Sequence, residues 1–125
     1  MVYKVTFDLR VYDWEIKEFF KTALGASRYW NTCFDEATEI DNFEQGGYAK
    51  LHLKEGEPEY VYVSMHTFSD ALVKHAQQTI GSAYLEQIDN YLQINHNFLE
   101  DSDADQILQL ATLGEVRYSN ADGEE

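Results

Sequence analysis

Three aspartates in the last quarter of the chain have the spacing of a calcium-binding loop. Asp101, Asp103 and Asp105 stand at the first, third and fifth positions of such a loop. The sixth position holds Gln106 where the loop needs glycine, and the twelfth holds Thr112 where it needs glutamate. The sequence therefore argues against a calcium loop. The same carboxylates suit the N-terminus of a helix, where free N–H groups need acceptors.

The histidines and the lone cysteine form no pattern of metal ligands or catalytic residues. His52, His66, His75 and His96 fall in different predicted elements, and none lies four residues from another. Cys33 has no partner for an internal disulfide, and no nucleophile elbow or glycine-rich phosphate loop occurs in the chain. We therefore predict no catalytic residue, no metal, no cofactor and no enzymatic activity.

Acidic residues are the remaining chemical feature. The 125 residues include 23 Asp and Glu against 9 Lys and Arg, a net charge of −14, and their 44% hydrophobic content is that of a folded protein. Residues 29–49 and 75–116 contain no Lys or Arg at all. Such a surface disfavours direct binding to nucleic acid or anionic lipid, because both need basic groups, and it attracts basic proteins.

Acids three or four residues apart on a helix share a face and can imitate the charge of a nucleic-acid backbone. The alternative is a solubilising surface with no partner. The residues predicted to bind a partner are Asp35, Glu36, Glu39, Asp41, Glu44, Glu86, Asp89, Glu100, Asp101, Asp103 and Asp105. Aromatic residues nearby would be either anchors for that partner or part of the core; they are Tyr29, Trp30, Phe34, Phe43, Tyr84 and Tyr91.

Hydrophobic periodicity predicts the elements of the first half of the chain. Residues 2–12 alternate as a half-buried strand, and helical spacing follows between Asp13 as N-cap and Gly25 as the stop. Residues 27–45 fit a helix, with a short strand as the alternative. Residues 47–66 predict a β-hairpin, whose linker contains the only proline of the chain.

The second half of the chain predicts mostly helix. Residues 67–80 and 83–94 have helical spacing and indicate two helices or one long kinked helix. Ser102 or Asp103 can cap a last helix that ends at Gly114, and an edge strand over 115–119 is left open.

Together these elements predict an α+β fold. A small antiparallel sheet, made of the N-terminal strand, the central hairpin and the open C-terminal edge strand, would be packed on one face by helices. Residues 1–119 would form a single domain and 120–125 a frayed acidic tail. The outer face of the sheet, either solvated or covered by the helix after Ser27, would carry Lys4, Thr6, Arg10, Tyr48, Lys50, His52, Tyr60, Tyr62 and Ser64.

In size, single-domain organisation and net charge the chain resembles small acidic counter-defence proteins of phages and mobile elements, including DNA-mimicking anti-restriction and anti-CRISPR proteins. The resemblance covers composition and no motif, so it assigns no site residue. With no apolar run of membrane-spanning length and a single cysteine, we predict a cytoplasmic inhibitor. It would bind the basic DNA- or RNA-binding groove of a nuclease or defence complex, without contacting nucleic acid or membrane.

Three other hypotheses remain open at this stage. One is an immunity protein that neutralises a cationic nuclease toxin by the same electrostatic attraction. Another is a small-molecule binding domain that uses the Tyr/His face of the sheet. A third is general adaptation to high salt, and homodimerisation is also left open.

Overall fold

The computed structural model describes residues 8–78, 85–88, 91–94 and 100–119. The predictions for residues 1–7, 79–84, 89–90, 95–99 and 120–125 fall outside those ranges. Within the described residues the elements, in chain order, are β1 (Asp8–Arg10), α1 (Asp13–Ala26), β2 (Asn31–Thr32), α2 (Glu36–Glu44), β3 (Ala49–Leu53), β4 (Tyr60–Val63), α3 (Met65–Gln78), β5 (Leu85–Ile88), β6 (Tyr91–Ile94) and α4 (Asp101–Leu113).

The predicted α+β class is confirmed, with the strands arranged in two small sheets. The central sheet has the order β2-β3-β4 and is antiparallel throughout. The second sheet has the order β1-β6-β5, in which β1 runs parallel to β6 and β5 runs antiparallel to it. The N-terminal strand therefore pairs with β6, whereas the sequence predicted that it joins the central hairpin. Residues 115–119 form no strand, and the third strand of the central sheet is β2.

Residues 85–88 and 91–94 form two antiparallel strands, where the sequence predicted helix over 83–94. β5 and β6 pair with Leu85 opposite Ile94 and Ile88 opposite Tyr91. Isoleucine and tyrosine, which stand at positions 88, 91 and 94, are residue types that favour strands. The helix prediction was wrong because hydrophobic residues at helical spacing also fit two short alternating strands.

The segment 27–45 contains both of the alternatives that the sequence left open. The strand β2 is only two residues long, and the helix α2 begins at Glu36. Asp35 is the N-cap, since its Oδ1 accepts the Thr38 N–H at 3.3 Å and its Oδ2 accepts the Thr38 hydroxyl at 2.9 Å. The helix is therefore shorter than predicted, because a polar cap stops it from extending back towards Ser27.

The ends of the first and last helices, α1 and α4, differ slightly from prediction. Tyr12 is the N-cap of α1, and its N–H donates to the Glu15 carboxylate at 2.9 Å, so Asp13 belongs to the first turn. α1 continues past Gly25 to Ala26. α4 begins at Asp101, one residue before Ser102, the first of the two predicted caps. It ends as predicted at Gly114, which has a left-handed φ of 79°.

The core lies between the helices and the inner face of the central sheet. Phe20 of α1 stacks on Phe43 of α2 with ring centroids 3.8 Å apart, and Phe68 of α3 packs edge-on against both. The sheet contributes alternate residues to this core, namely Ala49, Leu51, Leu53, Val61 and Val63. None of the helices within the described residues combines the length and the apolar character that crossing a membrane requires.

Candidate protein-interaction surface

Two of the predicted acids on α2 are paired with bases from neighbouring elements. Arg28 Nη2 lies 2.9 Å and 3.0 Å from the two carboxylate oxygens of Glu36. Lys21 Nζ lies 3.3 Å from Glu44 Oε2. Both pairs are solvent-accessible, so they add little to stability, but they reduce the negative charge at these two points. The negative charge of α2 is therefore partly neutralised at Glu36 and Glu44 and is not uniform along the helix.

Glu39 has a structural role that the sequence did not reveal. β2 pairs with β3 only at His52 and Leu53, so the Lys50 N–H lies beyond the end of the β2 ladder. Glu39 Oε1 accepts that N–H at 2.7 Å and takes the place of a strand carbonyl. Glu39 thereby holds α2 against the start of β3.

Asp35 and Asp41 are the exposed acids of this segment. Asp35 caps α2, and Asp41 Oδ2 accepts a hydrogen bond from Gln45 Nε2 at 2.8 Å. Neither forms an ion pair with a base in the described part of the chain. Their charges therefore face solvent and are available to a partner.

Phe34 is the one predicted anchor that the structure places fully in solvent. Its side chain is 106% exposed, directly before the Asp35 cap. Trp30 and Phe43 are buried in the core and Tyr29 is half-buried, so these three residues are not surface anchors. Tyr84 lies outside the described residues, and Tyr91 is described as a position in β6 only.

A groove of about 710 Å³ lies beside Phe34, between α2 and the outer face of the central sheet. We call it the α2–sheet groove; it is lined by Thr32, Cys33, Phe34, Glu39, Lys50, His52 and Tyr60. Lys50 Nζ lies 4.1 Å from the centroid of the Tyr60 ring. His52 Nε2 lies 3.6 Å from Glu59 Oε2. The outer face of the central sheet, which carries His52 and Tyr60, is therefore open to solvent beside α2.

The acids at the start of α4 stabilise that helix. Glu100 is its N-cap, and the Glu100 N–H donates to Asp103 Oδ2 at 3.2 Å in a reciprocal capping arrangement. Asp101 lies in the first turn, where its negative charge interacts favourably with the helix dipole. Glu100 and Asp101 are exposed, and Asp103 is half-buried.

Asp105 was predicted to bind a partner, and the structure buries it instead. Only 7% of the residue is exposed. Its Oδ2 accepts the Tyr29 hydroxyl at 2.5 Å, and its Oδ1 accepts the Trp30 Nε1–H at 2.7 Å. Burial raises the pKa of the Tyr29 hydroxyl well above its usual range, and the hydrogen bond from Tyr29 to Asp105 and the Asp105 charge raise it further. Asp105 therefore belongs to an internal polar network and leaves the partner-binding set.

Two further residues predicted to bind a partner, Glu86 and Asp89, lie in the second sheet or outside the described residues, and His75 lies in the interior. Glu86 occupies β5 opposite Gln93, in the second sheet, and Asp89 lies outside the described residues. His75 is buried on α3, and its Nε2 lies 3.0 Å from Gln106 Oε1. Among the residues that the structure describes, no three His, Cys, Asp or Glu side chains could hold a metal ion together.

No known protein family, curated protein or solved structure matches this chain. The interpretation of the surface therefore rests on its own geometry.

Cys33 is predicted to react slowly with alkylating reagents at neutral pH. Burial, with the charges of Glu36 and Glu39, raises the pKa of its thiol from 9.0 to about 11. Since the thiolate is the nucleophile, the reaction at pH 8 should be about 100-fold slower than for a thiol with the unshifted pKa. The rate of iodoacetamide labelling against pH tests this, and half-maximal reactivity at or below pH 9 would contradict it.

Proposed function

We propose that this chain is an acidic, non-enzymatic inhibitor that binds the basic nucleic-acid-binding groove of a nuclease or defence complex in the cytoplasm. The contact surface would be α2 and the residues just before it. Phe34 would insert into an apolar part of the partner's groove, while Asp35 and Asp41 would meet its Lys and Arg side chains. Glu36 would join them by exchanging Arg28 for a base of the partner.

The observation that supports this proposal most is the exposure of Phe34. A phenylalanine with its whole side chain in water gains nothing from folding, whereas burial against a partner removes its apolar area from water. Large aromatic residues at the centre of an interface often carry most of the binding energy. A ring placed next to unpaired carboxylates supplies both an anchor and long-range attraction to a basic protein.

The proposal predicts that the position of the acids matters more than their number. We compare the triple variant Asp35→Asn, Glu36→Gln, Asp41→Asn with a control, Glu18→Gln, Asp70→Asn, Glu115→Gln. Both variants remove three exposed or half-exposed negative charges and keep the shape of the side chains, and Asn can still cap α2. Binding is measured as displacement of labelled duplex DNA or RNA from a panel of purified basic nucleases and nucleic-acid-binding proteins.

The α2 variant should lose about 10-fold or more in inhibition at low salt, and the control about 3-fold at most. Phe34→Ala should also lose about 10- to 100-fold while leaving the thermal unfolding midpoint unchanged. Inhibition by the unchanged chain should weaken as salt is raised. Equal losses in the two charge variants, together with no effect of Phe34→Ala, would show that the attraction is general acidity and would refute the proposed surface.

A further inference from the structure

The outer edge of β4 has main-chain groups that form no hydrogen bond with any residue the structure describes. The Leu53 N–H donates to the Glu59 carbonyl at 2.9 Å, which identifies this pair as hydrogen-bonded in the β3–β4 ladder. Hydrogen-bonded and non-hydrogen-bonded pairs alternate in an antiparallel ladder, so Tyr60 and Tyr62 direct their N–H and C=O groups away from β3. β4 is the last strand of its sheet, and no described residue bonds these four groups.

The open stretch has clear limits along the chain. Before it stands Pro58, which has no N–H to donate. After it the Ser64 N–H donates to Thr67 Oγ1 at 2.9 Å, as part of the cap of α3. Among the described residues the unpaired edge is therefore Tyr60–Val63, where the donors and acceptors of Tyr60 and Tyr62 can bond one extended segment.

The surroundings of this edge favour a basic segment. Glu57 and Glu59 are exposed just before β4, at one end of the open edge. On the outer face the Tyr60 ring already holds the Lys50 ammonium at 4.1 Å, and the Tyr62 ring beside it is 53% exposed. A second copy of the chain would bring its own charge of −14, so mutual repulsion disfavours that occupant.

We propose that β4 takes up an extended segment of the partner, antiparallel and with Lys or Arg at alternate positions, as an added fourth strand of the central sheet. The segment's main chain would bond Tyr60 and Tyr62, and its basic side chain opposite Tyr62 would lie over the Tyr62 ring. The inference takes from the proposed function only that the partner is basic. It names a second contact, on the opposite edge of the sheet from β2.

Blocked synthetic peptides of seven residues, alternating Lys and Val, provide the test with the full-length chain. In an antiparallel pair directly opposite residues share a face, so the Lys residues opposite Tyr60 and Tyr62 use their own N–H groups towards β4. The unmodified peptide should shift the amide NMR signals of Tyr60 and Tyr62. N-methylation of the Lys amides should weaken binding at least 10-fold, whereas N-methylation of the Val amides, at the same charge, should change it less than 3-fold.

Variants of the chain at Tyr62 provide a second, independent test of the inference. Tyr62→Pro deletes an edge donor that the fold does not use, and proline is tolerated on edge strands. It should weaken peptide binding at least 10-fold, whereas the matched Tyr62→Thr, which keeps the N–H and loses the ring, should weaken it about 3-fold. Far-UV circular dichroism checks that Tyr62→Pro folds, and the methylated peptides decide the question if it does not.

Three outcomes would overturn the inference. Equal binding of all peptides would show attraction by charge alone. Sensitivity to Val methylation only would show that the segment either pairs in parallel or places Val, and not Lys, opposite the tyrosines. Concentration-dependent dimerisation in analytical ultracentrifugation that Tyr62→Pro abolishes would show that a second copy occupies the edge. The α2 variants leave β4 intact, so failure of the proposed inhibitor surface is measured separately from failure of this edge.

Discussion

Replacing Phe43 with alanine is expected to lower the free energy of unfolding by about 3–5 kcal/mol. The ring is 0% exposed, stacks on Phe20 at 3.8 Å and receives the edge of Phe68. Alanine would leave a cavity between three helices, because the neighbouring aromatic rings are held by their own packing. Phe43 is also the only fully buried residue of α2, so the acidic helix should loosen as well.

Phe34→Ala is the matched control, since the same atoms are removed from a side chain that is 106% exposed. Chemical denaturation of both variants, with the native chain as reference, measures the difference. We expect Phe34→Ala to change the free energy of unfolding by less than about 0.5 kcal/mol. A loss of similar size in both variants would contradict the assignment of Phe43 to the core and of Phe34 to the surface.

Asp105→Ala is expected to cost about 3–5 kcal/mol of stability, although the residue is acidic in a chain with excess negative charge. Its carboxylate accepts hydrogen bonds from the Tyr29 hydroxyl and the Trp30 Nε1–H, and Gln109 Nε2 approaches its Oδ1 at 3.4 Å. Alanine would leave these donors without their acceptor inside the protein, and it would also leave a small cavity.

Asp105→Asn separates the loss of the acceptor from the loss of the charge. Asparagine keeps one carbonyl oxygen for Trp30, and its amide can donate to the Tyr29 hydroxyl oxygen, so the cost should fall to about 1–2 kcal/mol. Thermal and urea unfolding measure this cost, and tryptophan fluorescence in a Trp14→Phe background makes Trp30 the source of the signal. If Asp105→Ala were as stable as the native chain, the network would have no role in holding α4 against the segment before α2.

The parts of this fold that the sequence predicted are those that depend on short-range patterns. The alternation in β3 and β4, the helical spacing of α1 and the glycine that ends α4 are local features, and each specifies one structure. For 85–94 the local pattern fits two structures equally well. Pairing of β6 with β1, from the other end of the chain, adds the stabilisation that selects strands there.

The candidate surface was predictable only in part, because several acids owe their roles to distant residues. Asp105 is separated from Tyr29 and Trp30 by 76 and 75 positions, and no spacing rule joins them. The pairing of Glu36 with Arg28 likewise depends on the turn before β2, which local propensity does not specify. Asp35 and Asp41, whose contacts stay within their own helix, lie where the helical pattern predicted.

Because Glu39 accepts the Lys50 N–H, the hydrogen-exchange rate of this amide depends on what the Glu39 carboxylate of α2 binds. While the carboxylate holds this N–H, exchange of its hydrogen with solvent deuterium should be slow. A cationic partner that draws the Glu39 carboxylate towards itself would release the amide and speed its exchange. The neighbouring Leu51 N–H, held in the ladder with Val61, would stay protected. Deuterium uptake at the Lys50 amide would therefore report the binding of a partner to α2, with no fluorescent or affinity tag attached to either protein.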